Sequence, residues 1–249
     1  MADMCCANIK QGVMEIAFTE HFDRVREDYC FDQYDPAAFF ASIEACRAEF
    51  GPQGLTIKAG IEVGEMHLFR DEVEAVLKAY PYDLVLGSLH WNRGRSIFDD
   101  EYFEETDART AARSYFEELT ELVDGGGFNI MSHLDVFKRR AYNVYQWFDI
   151  TEYEDYVRPV FEACIRRGIA PEINTSGLNM NVRQTHPPIE AIQWYREMGG
   201  ELLSIGSDSH SPEHIGLGRL TEAVAIAKAA GFTKLTKFSK RQIEGFVEI

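Results

Sequence analysis

Several features that mark particular classes of protein are missing from this sequence of 249 residues. Basic residues are scarce: 25 Lys and Arg stand against 41 Asp and Glu, which gives a formal net charge of −16. Such a charge repels a phosphate backbone or an anionic membrane surface. No apolar run approaches the roughly 20 residues needed to span a bilayer, and no basic segment followed by an apolar one opens the chain. We therefore expect a cytoplasmic protein that binds neither nucleic acid nor membranes.

Cysteine pairs and nucleotide-binding loops are missing as well. The five cysteines form no CxxC pair and leave an odd thiol, so reduced and mostly buried side chains are expected. The glycine run at Gly125-Gly126-Gly127 precedes a predicted strand instead of joining a strand to a helix, which does not fit a phosphate loop. Ser207 lies in Gly-Ser-Asp and not in a GxSxG elbow. Neither nucleotide binding nor serine-type hydrolysis is indicated.

Short β-rich runs alternate with longer amphipathic segments, which is the pattern of βα units around a parallel sheet or barrel. The predicted strands are residues 14–18, 56–63, 84–86, 129–131, 170–173 and 202–205. The predicted helices are residues 1–11, 36–49, 69–79, 101–123, 152–167, 188–198 and 220–230. Because no linker, low-complexity tract or repeat interrupts this order, residues 1–249 are predicted to form a single α/β domain.

Each predicted strand carries an ionisable or strongly polar side chain at or just after its carboxyl end. In chain order these side chains are Glu20 and His21, Glu62, His90, His133 and Asp135, Glu172 and Asn174, and Asp208 and His210. The carboxyl ends of the strands of a parallel barrel converge on one face, where active sites are built. Four histidines at four strand ends, together with Glu62 and Asp208, therefore predict a shared metal site. The other histidines, His67, His186 and His214, are expected to lie in loops without binding metal.

The kinds of donor narrow the metal. Imidazole and carboxylate without thiolate suit Zn²⁺, Mn²⁺ or Fe²⁺, whereas an all-oxygen shell is typical of Ca²⁺ or Mg²⁺. Six candidate ligands are too many for one tetrahedral ion, so a cluster of two or three divalent ions is predicted. Such clusters activate water and stabilise both oxygens of an in-line displacement, which favours phosphoester hydrolysis. The expected partner is a small phosphorylated metabolite.

Six motifs, in this order, resemble the polymerase-and-histidinol-phosphatase (PHP) superfamily, and within it the monofunctional histidinol-phosphatases. They are "IAFTEH", "GIEVG", "YDLVLGSLHW", "FNIMSHLDVFKR", "EINTSGL" and "SIGSDSHSPEHIG", spread over residues 16–216. The resemblance implies a distorted (β/α)7 barrel with up to three metals on its carboxyl face. It also implies hydrolysis of L-histidinol phosphate to L-histidinol and phosphate, a step of histidine biosynthesis.

The resemblance also implies a role for each matching residue. His21 and His210 would bind one metal, and Glu62 would bridge two. His90 and His133 would complete a second metal site. Asp208 would bind the remaining metal and assist departure of the alcohol, and basic side chains would hold the phosphate.

Two departures from the family pattern change these expectations. Family members begin with a strand ending in His-x-His, whereas this chain opens on a helix, so we expect a first strand to be absent through an assigned start at an internal Met or through truncation. The family often carries a phosphate-binding arginine after "NTSGL", where this chain has Asn179. Arg183 and Arg139 are the expected replacements, with a plain surface arginine as the alternative.

Two other functions stay open at this point. The altered phosphate-binding stretch is compatible with a PHP phosphoesterase for another small phosphate ester. Loss of the first ligand pair is compatible with an inactive, metal-binding domain. An incomplete barrel with an exposed strand edge also makes a homo-oligomer possible.

Overall fold

A computed structural model describes residues 1–215 and 219–249 of the chain. The helices are α1 (Ala2–Lys10), α2 (Pro36–Phe50), α3 (Arg70–Ala79), α4 (Asp100–Glu104), α5 (Ala108–Gly125), α6 (Lys138–Tyr145), α7 (Glu154–Arg167), α8 (Ile189–Glu197), α9 (Pro212–Ile215) and α10 (Arg219–Ala229). The strands are β1 (Glu15–Phe22), β2 (Thr56–Gly64), β3 (Leu84–Ser88), β4 (Trp91–Asn92), β5 (Arg95–Ser96), β6 (Ile130–Met131), β7 (Ala170–Asn174), β8 (Ser204–Gly206), β9 (Lys234–Ser239) and β10 (Gln242–Glu248). Gly216, the last residue of the sixth motif, lies outside the described residues.

The six predicted strands form one parallel sheet in the order β1-β2-β3-β6-β7-β8. The helices that connect them make every crossover long enough for parallel pairing. The α/β class expected from the alternating pattern is therefore confirmed.

The sheet is curled. His21 lies on β1 and His210 lies just after β8, at opposite ends of the strand order, yet their ring centroids are 6.2 Å apart. In a flat sheet of six strands, with neighbours about 4.8 Å apart, the outer strands would be separated by roughly 24 Å. The curl brings the carboxyl ends of the first and last strands to the same place.

The core lies between the sheet and the helices. One connected cluster of buried apolar side chains extends from Cys5 in α1 to Leu235 in β9. After Thr56, every residue of β2 is buried, as expected for a central parallel strand covered on both faces. The first helix was predicted over residues 1–11, and α1 ends at Lys10, two residues before Gly12, whose positive φ of 73° is typical of a helix-terminating glycine.

Several elements differ from the prediction, among them the short β4, β5 and α9, which were not predicted. The predicted helix at 101–123 is two helices, because Asp107 caps α5 by accepting a hydrogen bond from the Thr110 amide. Helix α6 was not predicted. The hairpin of β9 and β10 was missed because its two-residue turn consists of Lys240 and Arg241, at φ 51° and 61°. Turns of that backbone shape usually contain Gly or Asn.

All five cysteines lie in the described residues, and each is free, as expected. Within residues 1–215 and 219–249, none of the helices combines the length and apolar character that a membrane crossing requires.

The close approach of β3 to Phe128 allows a stability test. A Cβ added to Gly87 would lie 2.8 Å from three atoms of the Phe128 ring, so Gly87→Ala forces the ring or the strand to move. We expect a loss of about 1–3 kcal/mol of unfolding free energy, measured by urea denaturation followed by circular dichroism. Gly51→Ala is the control, because its Cβ meets nothing within 4 Å. Equal stability of both variants would show that β3 is less tightly packed than described.

Candidate metal centre

The carboxylate of Glu62 lies at the centre of the predicted site. Glu62 is on β2, directly beside His21 of β1 in the parallel register, and is buried. The Nε2 atoms of His133, His90 and His21 lie 3.0, 3.3 and 4.0 Å from its carboxylate oxygens. Ser88, at the end of β3, donates a 2.6 Å hydrogen bond to the same carboxylate. Three imidazoles from three different strand ends thus surround one acidic side chain.

Asp23 holds two of these imidazoles from behind. Its two carboxylate oxygens accept hydrogen bonds from Nδ1 of His21 at 3.1 Å and from Nδ1 of His90 at 3.2 Å. Gly64 makes room for it, because a Cβ at that position would lie 2.1 Å from the Asp23 Oδ1 atom. A carboxylate bound to Nδ1 leaves Nε2 as the metal-binding atom and fixes the ring orientation. His21 and His90 are therefore both aimed at Glu62.

Two further buried carboxylates hold the backbone of the histidine segments. Glu65 accepts from the amides of His90 and Trp91 at 2.6 and 2.9 Å. Glu172 accepts from the His133 amide at 3.1 Å. Both carboxylates supply hydrogen-bond acceptors for backbone amides that lie beyond the regular strands.

Asp208 and His210 lie on the loop after β8. Asp208 has a left-handed backbone, with φ 50°, and forms a 2.9 Å ion pair with Nη2 of Arg139. His210 places its Nδ1 atom 3.0 Å from the Asp208 carbonyl oxygen, and its side chain is 66% exposed. All six predicted metal ligands therefore lie on one face, with His210 the most solvent-accessible.

The remaining candidates have different surroundings. Arg139 lies beside Asp208, whereas Arg183 is exposed on the wall of an open cleft of about 560 Å³. His67 is hydrogen-bonded to Glu118, and His214 is exposed on α9. His186, expected in a loop, is fully buried. Burial and the nearby Lys138 ammonium lower the pKa of His186 to about 3, so its ring is neutral.

The cluster strongly shifts the ionisation of its members. Burial works against the charged form of His21, but the Asp23 hydrogen bond and the Glu62 charge raise its pKa to about 9. Burial is likewise outweighed at Asp23, where the His21 and His90 hydrogen bonds lower the pKa to about 2. The pKa of His90 is raised well above its usual value, despite burial, by Asp23 and Glu62. Asp23 is thus ionised, and His21 and His90 hold protons.

The donor set fits a divalent cation. Donor atoms from His21, Glu62 and His90 all lie within 4.8 Å of one another, a spacing that two bonds of about 2.0–2.2 Å to a shared ion can span with small adjustments. Within the described residues, the buried Nδ1 of His133 has no hydrogen-bond partner. In the metal-free protein, the protons on His21 and His90 balance the negative charge of the carboxylates, and a bound cation would take over this role.

Four residues at the site were not predicted: Asp23, Ser88, Glu65 and Cys30. Asp23 follows His21 by two residues, so it had a detectable signal in its spacing. Glu65 and Ser88 are indistinguishable in sequence from loop residues. The Cys30 sulfur comes within 4.8 Å of donor atoms of His21 and Asp23, but burial raises the pKa of its thiol, which disfavours the thiolate that metal binding needs.

Comparison with known families gives a match over most of the chain. The PHP domain family matches residues 1–176. A histidinol-phosphatase of Lactococcus lactis subsp. lactis is 26% identical over 238 residues, covering 95% of this chain and 87% of that protein. A probable histidinol-phosphatase of Clostridium acetobutylicum is 28% identical over 214 residues, covering 81% of this chain and 77% of that protein.

Two solved structures share the fold. The L. lactis histidinol phosphate phosphatase, crystallised with zinc, L-histidinol and phosphate, superposes with a TM-score of 0.84 at 23% identity and covers 98% of this chain and 92% of its own. A putative histidinol phosphatase of Listeria monocytogenes gives a TM-score of 0.75 at 22% identity, over 88% of this chain and 92% of its own. The curled parallel sheet is thus the distorted barrel that the motifs implied.

The shifted ionisation predicts that metal binding releases protons. His21 and His90 are protonated in the metal-free protein near pH 7.5, and a cation binds only neutral imidazole, so we expect about two protons to leave. Titration calorimetry with Zn²⁺ in buffers of different ionisation enthalpy measures this number.

The Asp23→Asn variant tests whether Asp23 causes the raised pKa of His21 and His90. Removing this carboxylate lowers the pKa of both imidazoles, so fewer protons should be released. Asp28→Asn is the control, because Asp28 accepts a hydrogen bond from Trp91 Nε1 instead of from an imidazole. The assignment is wrong if Asp23→Asn releases as many protons as the unaltered protein.

Proposed function

Because the chain belongs to the PHP domain family, we propose that it is a metal-dependent phosphomonoesterase whose substrate is L-histidinol phosphate. Residues 1–249 would form one catalytic domain, and the reaction would serve histidine biosynthesis in the cytoplasm. The observation that carries the proposal is the gathering of three imidazoles around Glu62, with Arg139 and Asp208 beside them. A site of this kind combines ligands for divalent metal ions with a positively charged arginine that can bind a phosphate group.

The predicted ligands divide between two or three ions. His21 and His210 would hold one, Glu62 would bridge, His90 and His133 would hold another, and Asp208 would serve the remaining one. Zn²⁺, Mn²⁺ and Fe²⁺ suit these nitrogen and oxygen donors. Such ions, when bound, lower the pKa of water and neutralise charge on the phosphoryl oxygens.

The protein's own residues would orient the substrate and move a proton. Arg139 is partly exposed beside the cluster, and its guanidinium can donate a charge-assisted hydrogen bond to the phosphoryl group. Hydrolysis forms a bond from phosphorus to the water oxygen and breaks the bond to the alcohol oxygen, so a proton must pass from water to the departing alcohol. The pKa of Asp208 is lowered by His133 and Arg139 against the effect of burial, so its carboxylate is available to carry that proton.

The identity of the alcohol rests on the relatives. Two proteins similar over most of this chain are named histidinol-phosphatase or probable histidinol-phosphatase. Arg183 lines the open cleft together with Asn179 and Arg219, and there it would contact the phosphate or the organic part of the substrate.

A different small phosphate ester is the second candidate. Asn179 stands where the family often has an arginine, and in this chain its side chain accepts a 2.9 Å hydrogen bond from Arg219 of α10. The positive charges of the cleft, on Arg183 and Arg219, therefore lie at positions other than that of the usual family arginine. This difference favours a different substrate more than a different reaction.

A phosphate-release assay tests the substrate. The purified protein, loaded with Zn²⁺ or Mn²⁺, is given L-histidinol phosphate and a panel of sugar phosphates, amino-alcohol phosphates and nucleotides. We expect kcat/KM to be highest for histidinol phosphate. Faster hydrolysis of another ester would replace this substrate by that one, and no hydrolysis of any ester would support the inactive, metal-binding alternative.

Replacing a proposed ligand tests the site. His133→Ala removes the imidazole closest to Glu62, and we expect at least about a 100-fold loss of kcat/KM together with a lower metal content. His67→Ala is the matched control, because His67 is a largely buried histidine that contacts a carboxylate outside the cluster. Metal content is measured by atomic emission after gel filtration. Full activity of His133→Ala would remove this residue from the proposed centre.

A further inference from the structure

A network of buried polar side chains lies behind Arg139. We propose that Lys138, Asp135 and His186 act as positioning residues that hold the Arg139 guanidinium in the orientation that binds the substrate's phosphoryl group. This inference rests on the proposed function, because it assigns Arg139 to the phosphate. It adds a second group of residues to the site, none of which touches the metal ligands' carboxylates or imidazoles directly.

The three side chains form a continuous path to Arg139. Lys138 Nζ lies 2.8 Å from Asp135 Oδ2 and donates to the Thr185 carbonyl at 2.6 Å. Asp135 Oδ1 lies 3.2 Å from His186 Nδ1, and His186 Nε2 lies 3.1 Å from Arg139 Nε. Lys138, Asp135 and His186 are each 0% exposed.

The chemistry of the partners sets the direction of these hydrogen bonds. Arginine only donates, and an ionised carboxylate only accepts. His186 must therefore carry its proton on Nδ1, donate it to Asp135, and accept from Arg139 at Nε2. Asp135 selects the one tautomer of His186 that can receive the Arg139 Nε–H group.

His186 itself is fixed to the sheet. Its amide donates to the Asn174 carbonyl at 2.8 Å, and the Asn174 amide donates back to the His186 carbonyl at 3.0 Å. The ring packs against the turn after β7, where a Cβ on Gly177 would lie 2.6 Å from His186 Nε2. The acceptor presented to Arg139 is thus as rigid as the end of β7.

The guanidinium is held on a second side as well. Its Nη2 donates to Ser176 Oγ at 2.5 Å and to Asp208 Oδ2 at 2.9 Å. Within residues 1–215 and 219–249, no hydrogen bond of the protein uses Nη1. Nε and Nη2 determine the plane of the guanidinium, and Nη1 remains for a phosphoryl oxygen.

A gain in stability is a poor explanation for the burial of these three side chains. A buried lysine–aspartate pair loses several kcal/mol of hydration per ion, and apolar residues of the same volume often stabilise a core as well or better. An arginine side chain, by contrast, has about 2 kcal/mol of rotamer entropy that must be lost when it binds phosphate. Fixing the guanidinium beforehand removes that loss from the binding step.

A double-mutant cycle on the metal-loaded protein tests the inference. His186→Asn keeps a donor near Asp135 but withdraws the acceptor from Arg139, and Arg139→Lys keeps the charge but lacks Nε–H. We expect His186→Asn to weaken the binding of inorganic phosphate about 10-fold, by titration calorimetry, and by less than about 2-fold when Arg139→Lys is already present. His186→Gln, whose amide oxygen reaches the height of Nε2, should recover part of the affinity.

Several results would overturn the inference. Equal weakening by His186→Asn in both backgrounds, or none in either, would show that His186 does not act through Arg139; so would a lack of phosphate binding by the unaltered protein. His67→Asn is the control and should change the affinity by less than about 2-fold. If near-ultraviolet circular dichroism shows that His186→Asn does not fold, His186→Met, which also lacks the acceptor, enters the same cycle.

The outcome is separable from that of the proposed function. Coupling between residues 186 and 139 without hydrolysis of histidinol phosphate keeps the positioning role and rejects the substrate. Hydrolysis without coupling keeps the substrate and rejects the positioning role.

Discussion

The buried carboxylate of Glu62 is the constraint around which the site is arranged. An isolated carboxylate in a protein interior costs several kcal/mol, so it needs cations or hydrogen-bond donors on every side. Three imidazoles and the Ser88 hydroxyl supply them. Asp23, behind His21 and His90, acts with Glu62 to raise the pKa of these two imidazoles and so keeps them protonated in the metal-free chain. A divalent cation bound at this place would supply the positive charge that the imidazole protons supply in the metal-free chain.

The curl of the sheet decides which residues reach Glu62. His21 and Glu62 are neighbours in the register of β1 and β2, so a flat sheet would bring them together. His210, at the far side of the strand order, comes within reach of His21 only because the sheet bends round. Gly64 contributes locally, since its missing side chain is the space that Asp23 occupies. Topology therefore brings the predicted ligands together, and one glycine allows their alignment.

Much of this could be predicted from the sequence, for an identifiable reason. A strand followed by an ionisable group produces two signals at once, an apolar run and a polar end, and six such pairs in one chain indicate a common face. Of the residues that were missed, Asp23 had a signal in its spacing from His21, whereas Glu65 lies in an irregular segment. His186 was taken for a loop histidine because neither its Asn174 backbone pairing nor its burial leaves a local pattern. The hairpin of β9 and β10 was missed because its turn residues are unusual for their backbone conformation.

The two halves of the site differ in what holds them. Glu62 is part of a regular strand and His21 ends one, so their positions follow from backbone hydrogen bonds that the sheet makes in any case. Arg139 has no such support: it lies on a short helix after an irregular segment, and its long side chain has several rotatable bonds. A residue placed in this way needs side-chain partners to acquire the same precision, and Asp208, Ser176 and His186 are those partners. Glu62 and His21 thus take their positions from the strands that carry them, whereas the guanidinium of Arg139, at the start of a short helix, depends on side-chain partners. The proposed positioning role accounts for the ionisable side chains that lie fully buried behind Arg139.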